Sequence, residues 1–414
     1  MYLKRIAVAA SASLLSITAA MAQESTPTIE EMWQIIQQQQ AQIEALQAEV
    51  EKAREENAQA EQRLEMTESQ IEATGEFVEQ MAEVQSEPSR TSIGGYGELH
   101  YNNYLSSDID DEIDFHRFVL YFGHEFNDRV RLFSELELEH ALSGDGKPGE
   151  VELEQAYIDF KINDHLNVMG GLFLVPVGIL NETHEPDTFY GVERNSVENV
   201  IIPTTWWEAG AAAYGNFDNG LSWHAAITSG LEMPTQGSSA FRVRSGRQKV
   251  AEALANDPAY TFRLRYTGLP GLELAATYQY QSDPSQAADD GLDSGQLFSA
   301  HARWTTGPFS LTGLYGAWDF SGDAVEAAGA DKQTGWYLEP SWRFNEHWGV
   351  YARYEDVEGA RDRDHFTQHQ FGINYWPVPN VVVKLDYRDR QHDLLAEAGR
   401  DFDAIDLGIG YSFY

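Results

Sequence analysis

From Ser92 onward the chain is a succession of short segments in which apolar and polar residues alternate, with no long apolar run. A period of two marks a strand that gives one face to an apolar medium and the other to a polar one. In hydrocarbon every backbone N–H and C=O has to be satisfied internally, so only helices and closed barrels can span a membrane. No segment after residue 22 is apolar enough for a spanning helix, which leaves a barrel. The connections agree, because they alternate short and long. Asn127-Asp128, Asp164-His165, Asp218-Asn219, Gly268-Leu269-Pro270, Gly307, Asn345-Glu346 and Pro377-Val378-Pro379 read as tight turns, and the intervening connections are longer.

The alternation predicts strand cores at 93–104, 114–126, 129–141, 151–162, 166–177, 205–217, 221–230, 259–267, 271–281, 296–306, 308–319, 334–344, 347–357, 366–376, 380–390 and 402–413. The expected fold is an all-β transmembrane barrel of about 16 antiparallel strands, short turns on the periplasmic side and long loops outside. An even count places both barrel ends on the short-turn side. A mean hydropathy of −0.44 fits such a barrel, because each strand gives only half its residues to lipid. The formal net charge of −38 excludes nucleic-acid binding as a default reading, and 0 Cys excludes disulfides and thiol chemistry.

Lys4 and Arg5, an apolar run from Ile6 to Ala19 and Ala20-Met21-Ala22 have the layout of a signal peptide over 1–22. Residues 23–86 read as a periplasmic α-helical coiled coil, and 87–92 as a linker before a barrel over 93–414. The seam is Ile29, Ile36, Ile43, Val50, Asn57, Leu64, Ile71 and Val78, seven residues apart. Its helix, Ile29 to Val84, is a rod of about 80 Å. A lone amphipathic helix packed on its own barrel is the alternative to self-association. β-branched residues at the seam with Leu46 opposite lean towards two strands, whereas barrels of this kind usually assemble in threes. Following the barrel, the expected assembly is a homotrimer.

Alternation also assigns faces. Val130, Leu132, Leu136 and Leu138 outward place Arg129, Arg131, Glu135, Glu137 and Glu139 in the lumen. The same argument turns Tyr157, Asp159, Lys161, Arg263, Arg265, His301, Arg303, Arg343, Arg353, Glu355, Lys384, Asp386 and Arg388 inward. Two readings follow. Paired charges brace a water-filled lumen, or a basic strip opposes an acidic one and orients anionic or dipolar solutes. Pro340 falls on the lipid face, which suggests a local bulge.

The connection from Leu180 to Thr204 is long and carries Phe189, Tyr190, Val200, Ile201 and Ile202. A loop of this length and composition is expected to fold into the barrel and narrow it. It would then present Glu182, His184, Glu185, Asp187, Glu193 and Arg194 to the passage. An exposed cap is the alternative. Farther on, Arg242, Arg244, Arg247 and Lys249 suit either anions at the mouth or lipopolysaccharide phosphates.

Nothing points to a metal, a cofactor or catalysis. The acidic run ending at Asp114 lacks the spacing and glycine of a calcium loop. His365 and His369 share a strand face about 13 Å apart, too far for one ion. There is no GxSxG, and no Ser/His/Asp set assembles on one face.

GLFLVPVGILNETHEPDTFYGVERNSVENVIIPTTWWEAGAAAYG, with FVLYFGHEFNDRVRLFSELELEHA and GEVELEQAYIDFK upstream, resembles the phosphate-selective porin O and P family of outer-membrane proteins. The resemblance spans roughly Ile93 to Tyr414. It implies a trimeric barrel of sixteen strands in which basic residues lead anions through a constriction. Arg117, Arg129, Arg131, Arg263, Arg265, Arg303, Arg343, Arg353, Lys384 and Arg388 are the candidates for that path. The N-terminal coiled coil is similar to that of dicarboxylate-uptake porins, which adds small organic anions as a solute class. The expected function is diffusion of small hydrophilic solutes with modest anion preference. Its alternatives are a non-selective or cation-preferring pore and an envelope tether anchored by the barrel.

Overall fold

The computed structural model describes residues 90–105, 109–141, 149–287, 291–394, 397 and 400–414, with a few helical positions between Ile29 and Lys52. The expected signal peptide, the coiled-coil seam beyond those few positions and the first half of the linker (87–89) lie outside the described residues. By internal contacts the chain divides after Pro88.

Residues 89–414 form one closed antiparallel barrel of sixteen strands in sequence order. They are β1 (Thr91–Tyr104), β2 (Glu112–Asn127), β3 (Val130–Glu139), β4 (Val151–Asn163), β5 (Leu166–Leu174), β6 (Trp207–Asn216), β7 (Leu221–Thr228) and β8 (Ala259–Leu269). The second half comprises β9 (Leu272–Gln281), β10 (Ser294–Thr306), β11 (Phe309–Ser321), β12 (Lys332–Arg343), β13 (Trp348–Glu358), β14 (His365–Val378), β15 (Val381–His392) and β16 (Phe402–Phe413). Closure comes from β1 against β16, where Gly95 faces Phe413 and Tyr104 faces Ala404. Two short helices, α1 (Val197–Val200) and α2 (Asp323–Ala327), sit in loops. Among the described residues no helix is long and apolar enough to cross a membrane.

The outward faces carry the apolar alternation. Tyr260, Phe262, Leu264, Phe298, Trp304, Leu338, Trp342, Leu385, Ile405, Leu407 and Ile409 are all exposed on the outside. In water such a band would be an aggregation surface; in lipid it is solvated. Asparagine side chains make several of the short turns. Asn127 Oδ1 accepts from the N–H groups of Arg129 and Val130 at 2.9 and 3.0 Å. Asn345 does the same for His347 and Trp348.

Three local expectations change. Thr91 and Ser92 already pair with His124 and Gly123, so β1 starts before residue 93. Arg129 lies in the β2–β3 turn, exposed, because β3 begins only at Val130. Pro340 causes no bulge: Leu338 pairs Tyr354 and Ser341 pairs Tyr351, so the register is continuous across it. Register shifts fall elsewhere: among the described residues four sit beside short turns, and two lie within the wall, between Glu98 and His100 against β2 and between Glu135 and Leu136 against β4.

Candidate functional site

After Leu174 the chain turns into the lumen and returns only at Trp207. Asn181 clamps the two ends of this inward loop (175–206), donating to Val175 O at 2.7 Å and Trp206 O at 3.0 Å. Its own Oδ1 accepts from Trp206 N at 2.7 Å. Farther in, Glu198 is fully buried and accepts from Ile179 N (2.5 Å), Leu180 N (2.7 Å), Asn195 Nδ2 (2.9 Å) and Tyr337 Oη (3.2 Å). One carboxylate thus satisfies two loop amides and ties the loop to β12.

A hydrophobic core fixes the loop to one side of the lumen. Val197, Ile201, Ile202 and Trp206 pack with Leu314, Trp318, Tyr337 and Val357 of the β11–β13 wall. Trp318 Nε1 donates to Ile201 O at 2.9 Å. Glycines make the room. A Cβ on Gly335 would lie 2.9 Å from Ile201, on Gly408 3.1 Å from Val192, and on Gly410 2.4 Å from Pro186. A strand glycine marks a place where another segment approaches closely.

The remaining lumen wall is charged. Lys384 Nζ donates to Gly191 O at 2.7 Å, and Asp386 accepts from Val192 N. Arg388 pairs with Asp406, which also accepts from Asn102 at 2.8 Å. Asn102 and His100 both reach Glu193, at 3.0 and 3.1 Å. His100 continues to Glu98 (3.1 Å), Glu98 to Arg117 (2.5 Å) and Arg117 to Glu137 (3.6 Å). This buried chain runs from β15 through β16 and β1 to β3. Within it every charge depends on its neighbours, so removal of one member leaves another unpaired.

Most of the expected basic path is therefore spoken for. Arg131 pairs with Asp159, Arg263 with Glu182, Arg265 with Glu273, and Arg353 with Glu339 and Glu355. Arg303, Arg343 and Arg353 converge on a cavity of about 290 Å³ at the short-turn end, together with Glu339 and Asp187. Arg343 lies over the Trp376 ring at 4.2 Å. Arg129, in its turn, joins none of these. The loop residues diverge: Glu182 goes to Arg263, Glu185 accepts from Tyr121 (3.3 Å), Asp187 from Ser412 (2.8 Å), and His184 meets Glu135 and Glu154. Arg194 Nε and Nη2 have no hydrogen-bond partner among the described residues. Glu182, His184 and Glu185 border a second short-turn cavity, about 610 Å³, with Tyr121, Phe133 and Tyr157.

The basic run of the loop 229–258 is used within the protein. Arg244 and Arg247 donate to the carbonyls of Thr204 and Thr205, Arg242 pairs with Asp364, and Lys249 reaches Glu150 and Glu152. Lys249 holds the Glu150 carboxyl below the ordinary glutamate range, chiefly through their hydrogen bond. Simple alternation missed Glu154, which the bulge in β4 turns inward beside Gln155. It also passed over the long-loop mouth. There Arg242, Arg363, Arg390 and Arg400 line a cavity of about 710 Å³ whose one carboxylate among the described lining residues is Asp364, while Arg400 pairs with Glu397 at 2.6 Å. Arg390 is held by neutral partners, Gln368 (2.9 Å) and Ser196 (3.0 Å), over the Phe366 ring at 4.1 Å.

A closed sixteen-stranded barrel with an inward loop and a charged lumen defines the class: a porin-like outer-membrane channel for small solutes. Residues 209–393 match the Gram-negative porin family. The chain belongs to one family with an uncharacterized protein of Aquifex aeolicus, 32% identical over 338 residues, covering 74% of this chain and 77% of that one. Among solved structures, the anion-selective porin from Comamonas acidovorans shares the fold with a TM-score of 0.57 at 14% identity, over 79% of this chain and 100% of that one. OmpF of Salmonella typhi, in complex with daunomycin, does so at 0.55 and 13%, over 78% and 97%. The outer-membrane channel DcaP of Acinetobacter baumannii gives 0.53 and 13% over the same shares.

Proposed function

We propose that the barrel passes small hydrophilic solutes by diffusion, with a modest preference for anions, and that it is a channel and not an enzyme. The observation that carries the preference is the outer mouth. Four arginines line it: Arg242 and Arg363 share Asp364, Arg400 pairs with Glu397, and Arg390 makes its hydrogen bonds, among the described residues, to the neutral Gln368 and Ser196. A solute entering from the long-loop end meets this field first, and a low-dielectric rim strengthens it. Deeper in, the paired state of Arg117, Arg263, Arg353 and Arg388 argues for weak selectivity and against an unbroken phosphate track. Small organic anions and phosphate are both within the proposed solute class. The Comamonas acidovorans neighbour is named an anion-selective porin, which accords with this reading.

A non-selective or cation-preferring pore is favoured by another observation, the inward carboxylates Glu135, Glu137, Glu139, Glu152 and Glu154 on β3 and β4. Reversal potentials in a salt gradient decide between them. Chloride permeating faster than potassium supports the mouth as the filter, and the opposite order assigns control to the carboxylates. We further propose a homotrimer whose helical N-terminal segment stands in the periplasm. Light scattering of the detergent complex tests the trimer. Conductance that survives deletion of 29–84 separates a channel from a tether.

A further inference from the structure

One group of side chains in the lumen is poorly explained by ion pairing. His184 of the inward loop meets Glu135 of β3 and Glu154 of β4, and all three are buried, at 2%, 1% and 0% exposure. His184 Nε2 lies 3.4 Å from Glu135 Oε1 and 3.5 Å from Glu154 Oε2. Neither approach makes a hydrogen bond. Among the described residues, both ring nitrogens of His184, both oxygens of Glu154 and Oε1 of Glu135 lack hydrogen-bond partners. Such groups, out of water and unsatisfied, cost free energy that a native structure normally recovers somewhere.

We infer that Glu135, Glu154 and His184 form a binding site for one divalent transition-metal cation, with Zn²⁺ the best-fitting ion. The three donor atoms lie within 4.8 Å of one another. Ligands about 2.1 Å from a tetrahedral ion are separated by about 3.4 Å, which matches both measured spacings. One imidazole and two carboxylates suit zinc better than calcium or magnesium, which take oxygen donors. Charge also balances: two carboxylates and a neutral imidazole around a dication sum to zero.

The surroundings are built for this arrangement. Gln155 donates to Glu135 Oε2 at 2.7 Å, fixing that carboxylate with Oε1 free for the ion. The bulge opposite Glu135 is what brings Glu154 to the same side as Gln155. Glu135 and His184 border the cavity of about 610 Å³, so a fourth position opens towards solute and water. An ion held there would staple the inward loop to the β3–β4 wall.

Among the described residues Glu137, Glu152 and Glu154, and Glu139, Glu150 and Glu152, are all-carboxylate sets with no imidazole, and a different trio, Asp114, His116 and His140, also gathers three donors. Its carboxylate accepts both imidazoles at 3.1 and 2.9 Å, so that set is already satisfied. It serves as the background to remove.

The test uses the full chain in detergent, stripped with a chelator and titrated with Zn²⁺ by calorimetry, with Co²⁺ absorption as the second measurement. In a His140→Ala background we expect one Zn²⁺ per chain and a tetrahedral Co²⁺ spectrum. Glu154→Gln and His184→Gln each reduce affinity at least a hundredfold, with heat-modifiable migration showing that the barrel still forms. If neither substitution changes stoichiometry, affinity or the Co²⁺ spectrum, or if no Zn²⁺ binds, the proposal is overturned and the trio is an ion pair only. If the variants do not fold, Gln155→Ala replaces them: weakened Zn²⁺ binding supports the site, and unchanged binding overturns it.

Discussion

Gly410 on β16 sits against Pro186 of the inward loop so closely that a Cβ there would fall 2.4 Å from the proline ring. The loop's seat is therefore a shape cut into the wall, and it can be filled from the wall side. Gly410→Val is expected to push residues 184–192 away and to cost about 1–3 kcal/mol, as overpacking does. Single-channel conductance and thermal unfolding in detergent report the two effects. An unaltered conductance would show that the loop does not govern the passage.

Glu198 is the loop's central acceptor. Glu198→Ala strands the N–H groups of Ile179 and Leu180, each at a cost of about 1–3 kcal/mol. Hydrogen exchange of 178–202 should accelerate while exchange in the strands stays slow. Equal acceleration everywhere would mean that Glu198 supports the whole barrel.

Asp406 is fully buried and depends on Arg388. Arg388→Met is expected to destabilise the barrel by about 3–5 kcal/mol, the usual result of orphaning one member of a buried pair. The double variant Arg388→Met/Asp406→Leu should recover most of it. Unfolding midpoints of both variants check this, and a double variant as unstable as the single one contradicts it.

Selectivity should reside at the mouth. Arg390→Glu is expected to move the reversal potential towards cations, whereas Arg129→Glu, at the short-turn rim, leaves it nearly unchanged. Equal shifts from the two would locate the filter elsewhere.

Acid should untie the outer loops. Lys249 Nζ lies 3.0 Å from Glu150 Oε2 and lowers its pKa. A depressed carboxylate contributes fully above its unfolded value, about 4.3, and that contribution is lost as pH falls through the lower folded value. Hydrogen exchange of 247–252 should therefore rise below about pH 4, and Lys249→Met should abolish the step.

The barrel was legible because its signal is local. A lipid-facing strand must be apolar at alternate positions wherever it sits, and residues 402–413 show this without any knowledge of their neighbours. The turns followed from asparagine and glycine chemistry. The lumen was less legible, since pairing there is set between distant segments. Asn102 meets Asp406, and Arg263 meets Glu182, at separations no pattern encodes. Glu154 was hidden for another reason, because one bulge resets the phase on which face assignment depends. The seat of the inward loop did leave a trace. Gly335, Gly408 and Gly410 fall at inward positions of strands, where a side chain would otherwise help fill the lumen.

The seam between Thr91–Tyr104 and Phe402–Phe413 has a consequence for biogenesis. The first strand waits for a partner some three hundred residues downstream, so a nascent chain short of β16 carries two open edges that hydrocarbon will not accept. Insertion is then gated by the last strand to be synthesised. Until that strand docks, the rest of the polypeptide needs chaperoning in water.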